Sequence, residues 1–421
     1  MQMIPIKPLQ PLDAQIILPG SKSFTQRALI IAALASGSSL VKGALFSEDT
    51  AYLARALQLL GADIKRQQGN MVIQGTGGRI KNPRQDLYLE NNGTALRLLT
   101  TVVCLGSGPF VLTGTHRLLE RPVHSLLKAL NSQGVKASGK DKEGFPPVLI
   151  EAQGLQGGSI TLDRIESSQY VSSLLISAPY GREDLRLRLE GPVVSRPYID
   201  MTVGVMRDFG AEVVTPGADY YQVSHQSRYL GRTYAIEGDV SSASYFFLAA
   251  ALGHGRVQAG PVFPHTRQGD IGFLDILKQC GHKVRIGESE VEVIGGDPVA
   301  GEKSFDLGDM PDMVPSLAVL AACRPGRTII RNVAHLRLKE SNRLEALVNE
   351  LGKTGIESRE TDDGLIITGG RPHGAEIETY KDHRIAMSFA ILGLTTPGIF
   401  IKDPDCVQKS FPGFWQALDA L

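Results

Sequence analysis

Lys22 and Arg27 stand where a Pro19-Gly20 break gives way to Ser21, Ser23 and an apolar run from Ala28 to Ala35. Serine hydroxyls cap helices and a glycine, here Gly37, ends them, so both cations fall at or near a helix start. Unsatisfied N–H groups and the positive dipole end favour an anion there. The plain alternative is a capped core helix carrying two solvated cations. Arg97 opens another apolar run after Asn91-Asn92-Gly93-Thr94, and Arg384 another after Tyr380-Lys381-Asp382-His383. Ser167, Ser168 and Gln169 occupy a comparable place with neutral groups, and Asp312 does so with an acid. Gathered together, these residues line a positively biased cavity containing an acid. Such a cavity suits a multiply anionic small molecule whose hydroxyl must lose a proton. Scattered, they are six unrelated caps.

Further charges cluster elsewhere. Thr115-His116-Arg117 leads into Glu120-Arg121-Pro122, and a residue before proline prefers an extended backbone, which applies to Arg121. In Arg337-Leu338-Lys339-Glu340-Ser341-Asn342-Arg343, helical spacing puts Lys339 and Arg343 one turn apart with Glu340 beside them. The ordinary reading of such a run is a solvated face with an ion pair. Lys409 alone reads as a solvated lysine. His383 is either a ligand contact or a satisfied buried histidine.

The elements that must position these groups form a repeat. A polar cluster opening an apolar helix recurs at Ser23, Thr94, Ser168, Ser242, Ser316 and Arg384, in steps of 71, 74, 74, 74 and 68. A second track, an amphipathic helix ending in glycine before alternating strand-like runs, recurs at Gly61, Gly134, Gly210, Gly281 and Gly355. Its steps are 73, 76, 71 and 74, so two independent signals share one period. The sixth copy of the second track would fall past Leu421. The runs Met3 to Ile6 and Gln15 to Leu18 are therefore expected to complete the last unit. Six units divide as three plus three. This places 21–236 in one domain and 1–20 with 237–421 in the other, with chain crossings at the opening stretch and near Ala235 to Gly238. Two helices among short strands per unit make the class α/β or α+β.

Composition narrows the function. Lys plus Arg and Asp plus Glu both number 44, so nothing in the overall charge points to nucleic acid or a membrane. The four cysteines, Cys104, Cys280, Cys323 and Cys406, lack metal-ligand spacing and read as buried thiols of a reducing compartment. Met1 to Pro11 lacks the apolar core of a signal peptide, and no apolar run is long enough to span a bilayer. A cytoplasmic protein is expected. There is no GxGxxG after a strand, and Pro-Gly-Ser-Lys-Ser lacks the Gly-Lys pair of a P-loop. No HExxH and no GxSxG are present, so neither a zinc site nor a serine-hydrolase elbow is indicated.

These motifs, taken in order with Ser195-Arg196-Pro197-Tyr198, Gly238-Asp239, Gln268-Gly269-Asp270 and Lys409-Ser410-Phe411-Pro412, resemble the 5-enolpyruvylshikimate-3-phosphate (EPSP) synthase family along essentially the whole chain. The resemblance implies a two-domain inside-out barrel of six βαβαββ-type repeats, three per domain, with helix N-termini facing an interdomain cleft. It implies transfer of the enolpyruvyl group of phosphoenolpyruvate to the 5-hydroxyl of shikimate 3-phosphate, with release of phosphate through a tetrahedral intermediate. No cofactor and no metal are implied, and a cytoplasmic monomer sensitive to glyphosate is expected.

By the same resemblance Glu340 protonates the methylene carbon, Asp312 is the base near the hydroxyl, and Lys22 touches both substrates. Shikimate 3-phosphate falls to Lys22, Ser23, Arg27, Ser167, Ser168, Gln169, Ser195, Tyr198, Asp312, His335 and Lys339. Phosphoenolpyruvate falls to Lys22, Gly93, Arg121, Gln169, Arg343, Arg384 and Lys409. Four positions depart from the family pattern. His335 stands where asparagine is frequent and Asn342 where aspartate is usual, while Asn92 replaces a small residue and Leu98 a frequent proline. Gly93 is kept, which lets backbone approach phosphoenolpyruvate and leaves room for glyphosate. Two other enzymes and one non-enzyme compete with this reading. The UDP-N-acetylglucosamine enolpyruvyl transferases carry a mobile-loop cysteine that has no counterpart between Gly114 and Pro122. RNA 3′-phosphate cyclase needs a basic groove and an ATP-linked histidine. A non-catalytic anion-binding repeat protein would leave Asp312 and Glu340 without work.

Overall fold

The computed structural model describes residues 3–8, 12–163 and 165–421, so residues 1, 2 and 9–11 of the Met1 to Pro11 stretch lie outside it. The chain divides into two compact units, Lys22–Ile236 and Met1–Ser21 with Glu237–Leu421. Each has its own apolar core.

Six helices begin at the polar clusters: Lys22–Leu34, Gly93–Val102, Ser168–Ser177, Val240–Leu252, Val314–Cys323 and His383–Gly393. Side chains at four of these starts do the capping. Asn92, Ser167, Asp239 and Asp382 accept from the backbone N–H of Ala95, Gln169, Ser242 and Arg384. The helices behind the caps are buried around nearly their whole circumference, because their apolar residues do not confine themselves to one stripe. They fill the cores. The strands alternate exposed and buried residues, so each sheet lays one face on that core.

One sheet order repeats. In the second repeat Leu87–Tyr88 runs parallel to Ser107–Thr113, which pairs antiparallel with Val148–Gln153, which pairs antiparallel with Lys136–Gly139. The third repeat, beginning with Gly158–Leu162, and the fifth, beginning with Lys303–Asp306, have the same order. In the first and fourth repeats the parallel edge strand comes from elsewhere. Asp13–Ile17 leads into the helix Lys22–Leu34 yet pairs with Arg256–Gly260. Thr233–Ala235 leads into Val240–Leu252 yet pairs with Ser38–Lys42. The two lead-in strands are thus exchanged at the two places where the chain leaves one unit for the other.

This exchange corrects the expectation for the N-terminus. Met3–Pro5 completes the sixth sheet by pairing with Phe400–Lys402, as anticipated. The run at Gln15 belongs instead to the fourth sheet, because a parallel edge strand there needs a donor once Thr233–Ala235 has joined the first.

Candidate active site

In the unit Lys22–Ile236, Lys22, Arg27 and Arg97 are each held by specific partners. Lys22 Nζ lies 3.0 Å from Asp49 Oδ2, and both side chains are nearly buried. Asp49 is held in turn through its carbonyl, which accepts from Asn92 Nδ2 at 2.8 Å. Arg27 is 1% exposed. Its guanidinium donates to Thr202 Oγ1 at 2.7 Å, to the Ser23 carbonyl and to the Tyr198 carbonyl, and lies over the Tyr198 ring. Burial lowers Arg27 to about 10, which leaves it cationic at neutral pH. Arg97 donates to Gln169 Oε1 at 2.8 Å, and Gln169 Nε2 donates to Thr94 Oγ1 at 2.8 Å. Ser195 has φ +57°, and its carbonyl accepts from the Tyr198 N–H. Ser168 is buried in the first turn of its helix.

Gly93 and Arg121 form a tight pair. A Cβ on Gly93 would lie 2.4 Å from Arg121 Cζ and 2.6 Å from Nη2. The space in front of Gly93 is therefore taken by the guanidinium, and any methyl there meets Arg121 first.

The other unit centres on Arg343, 1% exposed and the first residue of the helix Arg343–Lys353. Its guanidinium holds three carboxylates: Asp312 at 2.8 Å, Glu340 at 2.9 Å and Asp382 at 2.8 Å. Asp312 also receives Arg384 Nη2 at 2.6 Å, and Arg384 Nη1 donates to Tyr245 Oη at 3.2 Å. Asp382 accepts from Ser341 Oγ as well as capping its own helix. Burial alone would raise the Asp312 carboxyl, but Arg384, Arg343 and Lys339 outweigh it and hold it well below the usual carboxylate range. Burial would lower Arg343, but Asp382, Glu340 and Asp312 raise it. His335 is lowered to about 3 by burial and by Lys339, so its ring is neutral.

The helical-spacing expectation for Lys339 and Arg343 fails here. Residues Ala334–Leu338 form a 3-10 turn, Lys339 ends it in an extended conformation, and the helix begins only at Arg343. The run is also not a solvated face, since Arg343 is itself buried and paired with three carboxylates, of which Asp382 is fully buried. Asn342, which stands where aspartate is usual, donates to Glu345 and leaves Arg343 fully paired without it. Lys409 is buried rather than solvated, at the end of the 3-10 turn Pro404–Lys409, and His383 is buried too.

Polar contacts near the helix starts join residues one repeat apart. Arg97 to Gln169 and Arg384 to Asp312 are each separated by 72 positions, and Gln169 to Thr94 by 75. Equivalent places in successive repeats therefore meet within each unit, which six unrelated caps would not do.

The sequence model of the family described as EPSP synthase (3-phosphoshikimate 1-carboxyvinyltransferase) matches residues 6–418. The chain belongs to the EPSP synthase family. It is 41% identical over 408 residues to the 3-phosphoshikimate 1-carboxyvinyltransferase of Trichormus variabilis, covering 96% of each chain. To that of Methanospirillum hungatei it is 42% identical over 405 residues, covering 95% of this chain and 94% of the relative. The solved EPSP synthase of Acinetobacter baumannii superposes with a TM-score of 0.81 at 30% identity, covering 100% of this chain and 98% of the other.

Three residues that hold these side chains in place were not among the site residues expected from the sequence. Asp49 is the partner of Lys22, and its signal was only a helix-opening acid, Glu48-Asp49. Asp382 holds Arg343, and its signal was the capping position before His383-Arg384. Asn92 caps one helix and ties down the carbonyl of Asp49 in another. Among the described residues no group of three His, Cys, Asp or Glu could hold a metal ion, and no helix is long and apolar enough to cross a membrane.

Proposed function

We propose that this chain transfers the enolpyruvyl group of phosphoenolpyruvate to the 5-hydroxyl of shikimate 3-phosphate and releases inorganic phosphate. The observation that carries the reading is the sharing of one buried guanidinium, that of Arg343, by the two carboxylates the chemistry requires, Asp312 and Glu340. In the first step Glu340 gives a proton to the methylene carbon, and the neighbouring carbon gains oxocarbenium character. The 5-hydroxyl oxygen bonds to that carbon while Asp312 takes its proton. The tetrahedral intermediate then loses phosphate and a methyl proton, which re-forms the carbon–carbon double bond as the enol ether of the product. Strong pairing with Arg343 and Arg384 keeps Asp312 an anion, the form a base needs.

Under this proposal Lys22, Ser23, Arg27, Ser167, Ser168, Gln169, Ser195, Tyr198, Asp312, His335 and Lys339 hold shikimate 3-phosphate. Lys22, Gly93, Arg121, Gln169, Arg343, Arg384 and Lys409 hold phosphoenolpyruvate. Both substrates are anionic, so cations already fixed by partners bind them without first having to be ordered. We further propose a cytoplasmic monomer. The cytoplasmic part is supported by four cysteines that are all thiols in the structure.

The deciding assay is phosphate release from phosphoenolpyruvate with and without shikimate 3-phosphate. No shikimate-dependent release would sink the reading. Glu340→Gln and Asp312→Asn should each lose most turnover while still binding shikimate 3-phosphate, and unchanged turnover would refute those roles. Glyphosate should inhibit at micromolar-scale concentrations, because Gly93 adds no side chain to the space beside Arg121. Full activity at millimolar inhibitor would contradict that.

A further inference from the structure

Glu350 lies on the apolar face of the helix Arg343–Lys353, beside Ala346, Leu347 and Leu351, and has no exposed surface. A leucine would suit that position better, since a buried carboxylate costs free energy unless donors surround it. Donors do surround it. Glu350 Oε2 accepts from the Glu378 backbone N–H at 3.0 Å, Oε1 accepts from Tyr380 Oη at 2.8 Å, and Lys353 Nζ reaches both oxygens. Two of these donors belong to the segment that delivers Asp382 and Arg384. In that segment Tyr380 and Lys381 have φ of +54° and +55°, successive left-handed conformations that residues with a Cβ rarely adopt. The turn closes with the Asp382 N–H donating to the Thr379 carbonyl. One helix therefore grips this turn on both sides, through Glu350 at positions 378 and 380 and through Arg343 at Asp382.

We propose that Glu350 is a positioning residue: it clamps the left-handed turn Tyr380–Lys381 and so fixes where Asp382 and Arg384 are presented to Asp312 and to the anionic substrate. This rests on the reading that Arg384 binds phosphoenolpyruvate. Released from Glu350, the turn relaxes toward ordinary backbone conformations and Arg384 shifts from its 2.6 Å contact with Asp312. A residue that served stability alone would lower the melting temperature and leave both KM values where they are.

The test compares wild type, Tyr380→Phe, which removes one hydroxyl, and Glu350→Leu, which removes the carboxylate. Each is also made with Lys381→Gly, since glycine adopts the left-handed conformation without a clamp. Amide hydrogen exchange over residues 378–386 reads the clamp directly. Steady-state kinetics read its consequence. Exchange should speed up in Tyr380→Phe and more in Glu350→Leu. KM for phosphoenolpyruvate should rise about tenfold in Glu350→Leu, with KM for shikimate 3-phosphate unchanged. Lys381→Gly should recover most of that rise. Unchanged exchange, an unchanged KM for phosphoenolpyruvate, an equal rise in both KM values, or no recovery with Lys381→Gly would each overturn the proposal. If wild type shows no shikimate-dependent phosphate release, the functional reading fails, and exchange in Tyr380→Phe still decides whether the clamp exists.

Discussion

Gly93→Ala tests how the proposed phosphoenolpyruvate site is built. The backbone at Gly93 is not left-handed, so an alanine there carries no conformational penalty. The effect is steric and falls on one partner. The new methyl would sit 2.4 Å from Arg121 Cζ, 2.6 Å from Nη2 and 2.7 Å from Nη1. Relaxed carbon contacts lie at about 3.5 Å, so the guanidinium must retreat by about 1 Å. A retreat of that size breaks the alignment of charge-assisted hydrogen bonds, each of which contributes about 1.5–3 kcal/mol. KM for phosphoenolpyruvate should therefore rise about ten- to hundredfold, and KM for shikimate 3-phosphate should not change. The decisive measurement is a double-mutant cycle with Arg121→Ala. With the guanidinium gone the methyl has nothing to displace, and Gly93→Ala should then change KM for phosphoenolpyruvate by less than about twofold. A Gly93→Ala penalty that persists in full in the Arg121→Ala background would refute the reasoning, as would an unchanged KM in the single variant.

Three further substitutions separate charge, burial and anchoring. His335 is lowered to about 3, so folding disfavours its protonation, and the penalty builds as pH falls below about 6.5. In chemical denaturation His335→Asn should be as stable as wild type at pH 8 and more stable by about 2.7 kcal/mol at pH 4.5. Asp270 is raised to about 7, first by burial and then by Asp312, so its ionisation costs stability above about pH 4 and fully above about pH 7. Asp270→Asn, which keeps an acceptor for Ser241, should be more stable than wild type at pH 8, with the gain vanishing at pH 4; a gain that is independent of pH would refute this. Arg324 is buried and donates to the carbonyls of Val299, Gly301 and Arg327 and to Thr328 Oγ1, contacts a lysine cannot reproduce together. Arg324→Lys should cost about 2–4 kcal/mol in chemical denaturation and leave both KM values unchanged.

The helix starts were legible because each carries a local signal, a polar cluster followed by an apolar run, and the signal recurs at one period. The mixed α/β class followed from the same runs. The exchanged edge strands were not legible. Asp13–Ile17 has the alternation of a strand, but alternation says which face is buried and nothing about which distant strand supplies the hydrogen bonds. Site charges divided in the same way. Lys22 and Arg27 were legible as cations near a helix start, with a capped core helix bearing solvated cations as the open alternative. Arg343 looked like one more charge in a polar run, because its three carboxylates come from positions 312, 340 and 382 and two of them are remote in sequence. Glu350 did carry a signal, a carboxylate on an apolar helical face, which distinguishes a buried anchor from a solvated acid.

The exchanged strand at the N-terminus also bears on synthesis. Asp13 pairs with Arg256 across 243 positions, and Arg256 Nη1 reaches the Asp13 carboxylate at 3.0 Å. At about 5–20 residues per second, that partner is polymerised roughly 12–50 s after Asp13. Meanwhile the whole of Lys22–Ile236, whose three sheets draw no strand from outside it, emerges from the ribosome as a continuous stretch. Met3–Pro5 and Asp13–Ile17 thus wait for partner strands translated long after them, and Lys22–Ile236 can fold before either is hydrogen-bonded. A nascent chain stalled beyond residue 236 should hold one protease-resistant core and a cleavable leader. That leader becomes resistant only after Arg256–Gly260 has been added.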